Sequence, residues 1–293
     1  MVKRIIGLIT SIIVLITSIV FLAVPKCYEY RNLSYGAHDR NVLDLNIPKK
    51  NDGEIGLILY IHGGGWFTGD KKQYLDEVEH LSDYCGYAAA TMNYRYVSTT
   101  STMNNILDDI DAALACIKQK GEENGVNINK VLLTGHSAGG HLSLLYGYSK
   151  ADTAPIKPAA IISNCGGPVD FTIRTFYEEC EMFSEAELNF LISNACGKTF
   201  TTDTIDTVRE ELLEISPITY VTENSVPTII NHGVNDKVVP YHNAEILDKK
   251  LTECGVPHVL NPYPTSGHNL DSDFSSDVRA DKLFVEYCET YLK

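Results

Sequence analysis

The sequence predicts one large α/β domain: a mostly parallel sheet with helices on both faces. Three observations carry that expectation. Short apolar runs alternate with amphipathic stretches from about residue 40 onward. Several runs are apolar at every position, as strands buried on both faces are. One run, KVLLTG, passes without a spacer into a glycine-rich turn and a second apolar stretch. At 293 residues, with 44% hydrophobic and 21% charged content, the composition is that of an ordinary globular chain with ample core material.

The amino terminus, MVKRIIGLITSIIVLITSIVFLAVPK, carries Lys3 and Arg4 and then no charge from Ile5 to Val24. A helix over that run rises roughly 30 Å, the thickness of a bilayer's hydrocarbon core. It exceeds the ~7–15 residues of a signal-peptide core, and no good small-x-small cleavage site precedes Cys27. We therefore expect residues 1–26 to form an N-terminal membrane anchor or uncleaved signal, with a transmembrane helix through residues 5–24. Residues 27–293 form the working domain outside the cytoplasm, since Lys3 and Arg4 favour the cytoplasmic side. The alternative is secretion after signal cleavage.

NVLDLNIP (41–48) alternates like a half-buried strand, and the turn KKNDGE leads into IGLILYIH (55–62), a strand buried on both faces. A polar helix at about 70–85 precedes the buried strand YAAATMNY. Ile106, Ile110, Leu114 and Ile117 then share one helical face, with Asp108, Asp109 and Asp111 near that helix's start, where carboxylates suit its dipole. KVLLTG is the next strand, and AAIISNCGG follows the next helix. VPTIINHG and PHVLNPYP complete the strands, separated by a helix at about 241–254. A last helix at about 276–292 groups Leu283, Phe284, Tyr287 and Tyr291. From about 171 to 221 the rhythm breaks into helical patterns with no convincing strand, the expectation for a cap over the carboxyl ends of the strands.

The chain holds 24 basic and 38 acidic residues, a net charge of −14. Nucleic acid would repel such a surface, so no nucleic-acid role is expected. No Cys-x-x-Cys pair or Cys/His spacing among the eight cysteines suggests a metal site, and no cofactor motif is present. Export would permit one or two disulfides, expected within residues 165–196.

GHSAGGH (135–141) sets a serine at G-x-S-x-G spacing between a strand and a helix start. A hydroxyl needs a base to become a nucleophile, and small neighbours permit the cramped turn that exposes it, so Ser137 is the candidate nucleophile. Acyl transfer also needs rigid donors for an oxyanion. HGGGW (62–66) offers amides free of side chains, and Ala138 follows the serine. A phosphate cradle would need G-K-[ST] or a G-x-G-x-x-G helix start, and neither is there. Of nine histidines, His268 lies in a loop after the last strand, and Asp236 follows the strand before it. The chain order Ser137, Asp236, His268 suits a triad, with Asp236 holding the imidazole. Asp170 and Asp271 are the alternative acids. His62 is expected to be structural, His136 and His141 to point away from the serine or into packing, and His232, His242 and His258 have no matching context.

With YIHGGGWFTGDKK, NYRY, GHSAGGH, SPITYV, HGVNDKVVP and SGH in place, the chain resembles the α/β-hydrolase superfamily. The branch is that of hormone-sensitive-lipase-like carboxylesterases of acetyl-esterase and feruloyl-esterase-like type. The resemblance implies an α/β-hydrolase fold, Ser137, Asp236 and His268 as triad, and Gly64, Gly65 and Ala138 as oxyanion hole. It also implies a helical cap and no metal. VSTTSTMNN departs from the proline-rich stretch usual after the Asn-Tyr-Arg element. The expected activity is hydrolysis of a small or short-chain acyl ester, such as an acetylated sugar, through an acyl-enzyme. Alternatives are an amidase, arylformamidase or peptidase with the same triad, or a non-catalytic membrane-tethered binding protein.

Overall fold

The structure, a computed structural model, describes residues 26–293. The expected span at residues 5–24 lies outside them. No helix among the described residues is long and apolar enough to cross a membrane.

Eight strands form one sheet: β1 (Cys27–Ser34), β2 (Val42–Pro48), β3 (Leu57–Ile61), β4 (Ala88–Met92), β5 (Lys130–His136), β6 (Lys157–Asn164), β7 (Thr228–Gly233) and β8 (His258–Tyr263). Their order is β1-β2-β4-β3-β5-β6-β7-β8. β2 pairs antiparallel with both β1 and β4, and all other pairs are parallel. The runs apolar at every position are the central strands. Leu57, Leu59 and Ile61 of β3 face one core cluster while Ile58 faces the other, so alternate side chains are buried on opposite faces. β1 was not foreseen as a strand. Its sequence CYEYRNLS is half exposed, because it is an edge strand and buries little.

Helices cover both faces: α1 (Leu75–His80), α2 (Met103–Glu123), α3 (Ala138–Ser149), α4 (Arg174–Glu179), α5 (Glu185–Cys196), α6 (Arg209–Glu214), α7 (His242–Glu253) and α8 (Phe274–Tyr287). Ile106, Ile110, Leu114 and Ile117 of α2 are fully buried, as their spacing predicts. Asp109 does more than suit the helix dipole. It is buried and takes Arg95 Nη2 at 2.7 Å, tying the Asn-Tyr-Arg segment to α2. The stretch 171–221, between β6 and β7, is helical without a strand and holds α4, α5 and α6.

The disulfide expectation is corrected: all eight cysteines are free. Cys196 Sγ lies against the Ser193 and Lys198 carbonyls, and Cys165 is buried beside His232 and Asp236, so these sulfurs are engaged locally rather than with one another.

Candidate active site

Four loops at the carboxyl ends of β3, β5, β7 and β8 build the site. Ser137 stands between β5 and α3 with φ 56° and ψ −122°, a conformation that non-glycine residues rarely adopt and that costs about 1–3 kcal/mol. The surroundings enforce it. Ser137 N donates to Asn164 O at 2.8 Å, and a Cβ at Gly139 would run into the Ile61 carbonyl, so α3 starts hard against β3. The amino end of α3 faces the serine, where its dipole favours negative charge.

The loop after β3 turns through three successive left-handed residues: Gly64 (φ 106°), Gly65 (φ 58°) and Trp66 (φ 64°). A Cβ at Gly63 would lie 3.4 Å from Ser137 Cβ, so this loop passes directly over the serine. Among the described residues the amides of Gly64, Gly65 and Ala138 donate to no protein acceptor. His62 braces the loop from below, as expected. Arg40 can only donate, so its contact with His62 Nε2 at 3.2 Å makes that nitrogen an acceptor; Nδ1–H then donates to Gly63 O at 2.8 Å. Burial, with the Arg40 charge acting in the same direction, pushes the imidazole down to about 4 and keeps it neutral. Tyr94 stacks on the ring at 4.2 Å and donates its hydroxyl to His62 O.

Asp236 and His268 come together. His268 Nδ1 donates to Asp236 Oδ2 at 2.7 Å, which fixes the tautomer and leaves Nε2 as the free nitrogen. Asp236 Oδ1 accepts from Val238 N at 2.8 Å and Val239 N at 2.9 Å. Burial alone would raise this carboxyl, but hydrogen bonds from His232 and His268 outweigh it and hold it well below the usual carboxylate range. Asp236 is therefore a charged, fully enclosed partner for the imidazole. His268 also lies beside the serine's strand: its carbonyl accepts from His136 Nε2 at 2.6 Å, and the two rings are 4.7 Å apart. No hydrogen bond joins Ser137 Oγ to His268 among the described residues.

His136 thus does not point away from the site; it anchors the His268 loop. His141 enters packing as expected, accepting from Trp66 Nε1 at 3.2 Å and donating from Nε2 to Ile215 O at 2.9 Å. The alternative acids are elsewhere: Asp170 caps the turn at Thr172, and Asp271 meets the Ser272 hydroxyl. Two participants escaped sequence reasoning. His232 Nε2 lies 2.8 Å from Val239 O and 3.4 Å from Asp236 Oδ2, a second histidine on the same carboxylate. Its position four residues before Asp236 was the available signal. Asp273 accepts from Ser266 N and Oγ, both at 2.7 Å, and so closes the loop that carries His268.

Beside Gly65, where a Cβ would meet Phe183 Cζ at 3.7 Å, an apolar cavity of about 360 Å³ is lined by Phe67, Val97, Phe183, Phe190 and Leu191. Its polar members are engaged locally. Glu187 takes the Ser184 amide and hydroxyl, and Asn194 Nδ2 donates to Phe190 O. A second groove shares Phe190 and Asn194 with it and is lined also by Ser98, Thr99, Thr102, Ser193 and Lys198.

The BD-FAE family profile matches residues 43–251. A probable carboxylic ester hydrolase, LipM, of Mycobacterium tuberculosis is 28% identical over 256 residues, covering 82% of this chain and 56% of the relative. Esterase LipC of the same organism is 25% identical over 248 residues, covering 82% and 60%. This chain thus spans little more than half the length of those two relatives. Among solved structures, a truncated carbohydrate esterase from gut microbiota superposes with a TM-score of 0.72 at 20% identity, over 90% of this chain and 97% of that one. Esterase B from Lactobacillus rhamnosis superposes with a TM-score of 0.70 at 21% identity, over 91% and 89%. Both likenesses are of fold. With most of the chain inside the profile and the strand order above, the protein belongs to the BD-FAE family of α/β-hydrolases.

Proposed function

We propose that residues 27–293 form a serine carboxylic-ester hydrolase acting on small or short-chain acyl esters. Ser137 Oγ attacks the ester carbonyl as its proton passes to His268 Nε2. The carbonyl oxygen becomes an oxyanion held by the amides of Gly64, Gly65 and Ala138. His268 returns the proton to the departing alkoxide, leaving an acyl-enzyme. Water then gives its proton to His268 and attacks, and the collapse releases the acid as Ser137 recovers its hydrogen. The observation that carries this reading is the 2.7 Å hydrogen bond from His268 Nδ1 to the buried Asp236, on a loop tied to the strand that presents Ser137.

The stretch 171–221 acts as the cap, and the apolar cavity against α5 receives the apolar part of the ester. The adjoining groove, rich in hydroxyl side chains, suits a polar alcohol such as a sugar, in keeping with the carbohydrate esterase that shares the fold. Residues 1–26 anchor the domain outside the cytoplasm.

Ser137→Ala should abolish hydrolysis of p-nitrophenyl acetate and labelling by a fluorophosphonate, with the circular dichroism spectrum unchanged. Turnover at the native rate would end the proposal. The same triad can cleave amides, so kcat/KM on matched ester, formamide and anilide substrates separates esterase from amidase.

A further inference from the structure

β1 runs antiparallel to β2, which runs antiparallel to β4, so β1 points the same way as the parallel strands. Its first residue, Cys27, pairs with Pro48 and lies at the amino ends of the sheet. His62, Ser137, Asp236 and His268 all follow carboxyl ends. Strands of this length separate the two edges by roughly 20 Å.

Only Pro25 and Lys26 lie between Val24, the end of the uncharged run, and Cys27. The three steps from Val24 to Cys27 reach at most ~11 Å. Whatever takes up the apolar run therefore sits against this edge of the sheet.

The surface at that edge is suited to such a neighbour. Lys26, Lys49 and Lys50 are exposed there, and Lys49 N donates to Lys26 O at 2.9 Å, which brings the three together. Lys26 Nζ stands 4.4 Å over the ring of Tyr84, which is 72% exposed, and Lys49 Nζ stands 5.0 Å from the ring of Tyr28. Tyrosine and lysine together are the residues that settle at a membrane–water interface, the ring at headgroup level and the ammonium among phosphates. In a chain of net charge −14 this cluster is out of keeping with the whole. Counter-charges lie close by: Asp83, which accepts from Cys27 Sγ at 3.3 Å, and the exposed Asp52 and Glu54 in the turn after Lys50.

We propose that this edge, with Lys26, Lys49, Lys50 and Tyr84, rests on an anionic lipid headgroup layer, so that the catalytic mouth faces away from the bilayer and draws its ester from water. The proposal rests on the reading of residues 1–26 as an anchor.

The chain has one tryptophan, Trp66, in the loop over Ser137, and Tyr84→Trp adds a second at the opposite edge. Full-length protein is reconstituted into phosphatidylcholine/phosphatidylglycerol vesicles carrying a headgroup-dansyl lipid, and energy transfer from tryptophan is read. The fractional loss of emission added by Tyr84→Trp should be several-fold that of Trp66 alone. Equal loss, or greater loss from Trp66, overturns the orientation. Replacing Lys26, Lys49 and Lys50 together by Glu should reduce the Tyr84→Trp transfer on these vesicles and not on neutral ones. No change would remove the lysines from the interface. Flotation with vesicles is measured first, and failure to float overturns the anchor and the orientation with it. Fluorophosphonate labelling of the same sample reports on the ester chemistry separately.

Discussion

The turn at Ser137 and the helical stretch 171–221 meet through Trp66, His141 and Ile215, yet they are built in opposite ways. The turn is pinned on every side: a left-handed serine, a glycine against the Ile61 carbonyl, and α3 buried nearly throughout. The stretch consists of short helices and leaves Met182 61% and Phe190 66% exposed. Acyl transfer requires donors and nucleophile held to a fraction of an ångström, which close packing supplies. Choosing among esters requires only a shaped apolar wall, which a helix edge can supply and change without disturbing the turn.

The contrast can be broken by experiment. Asp236→Asn keeps the shape but favours the wrong His268 tautomer, so kcat on p-nitrophenyl acetate should fall by about 10⁴-fold. A loss under tenfold would show that the rigid region does not control the chemistry. Gly64→Ala puts a Cβ against the Thr68 carbonyl at φ 106° and displaces an amide proposed to hold the oxyanion. Its kcat should drop by roughly 10²–10³ with KM little changed. Ala186→Phe, at an exposed α5 position lining the apolar cavity, should lower kcat/KM for hexanoyl esters about tenfold relative to acetyl esters. If acetyl turnover falls equally, the cap is part of the catalytic machinery and the comparison fails.

A smaller effect on activity, but a direct one on stability, comes from His62 and His141, which burial holds neutral with values lowered from 6.5 to about 4. Between those values the unfolded chain binds protons that the folded chain does not. Their contribution is therefore complete above pH 6.5 and is lost as pH falls toward 4, on the order of 3 kcal/mol each at most. The urea midpoint should decline across that window. Trp66 emission should change only near its lower end, where a protonated His141 Nδ1 can no longer accept from the indole. A flat midpoint from pH 7 to 4 would contradict this.

Much of the site was legible because its demands are local. A strand passing straight into G-x-S-x-G, three glycines after an apolar strand, and an Asp and a His each in the loop after a late strand leave marks within a few residues of themselves. β1 was not legible, because an edge strand has too little buried surface to impose a clear alternation. The excursion at 171–221 was legible as helical and strandless, but not where its short helices begin and end, since they take their packing from the rest of the domain.

By itself, then, the sequence determined the layered α/β architecture, the order of the chemical groups and the glycines that allow the backbone to turn. All of these follow from side-chain periodicity and steric bulk along a few consecutive residues. Only the tertiary structure decided that His232 shares the carboxylate of Asp236, that His136 holds the His268 loop, that Arg40 sets the tautomer of His62, and that no cysteine finds another. Those outcomes depend on which atoms lie within about 3 Å across long stretches of chain, a distance no local pattern encodes.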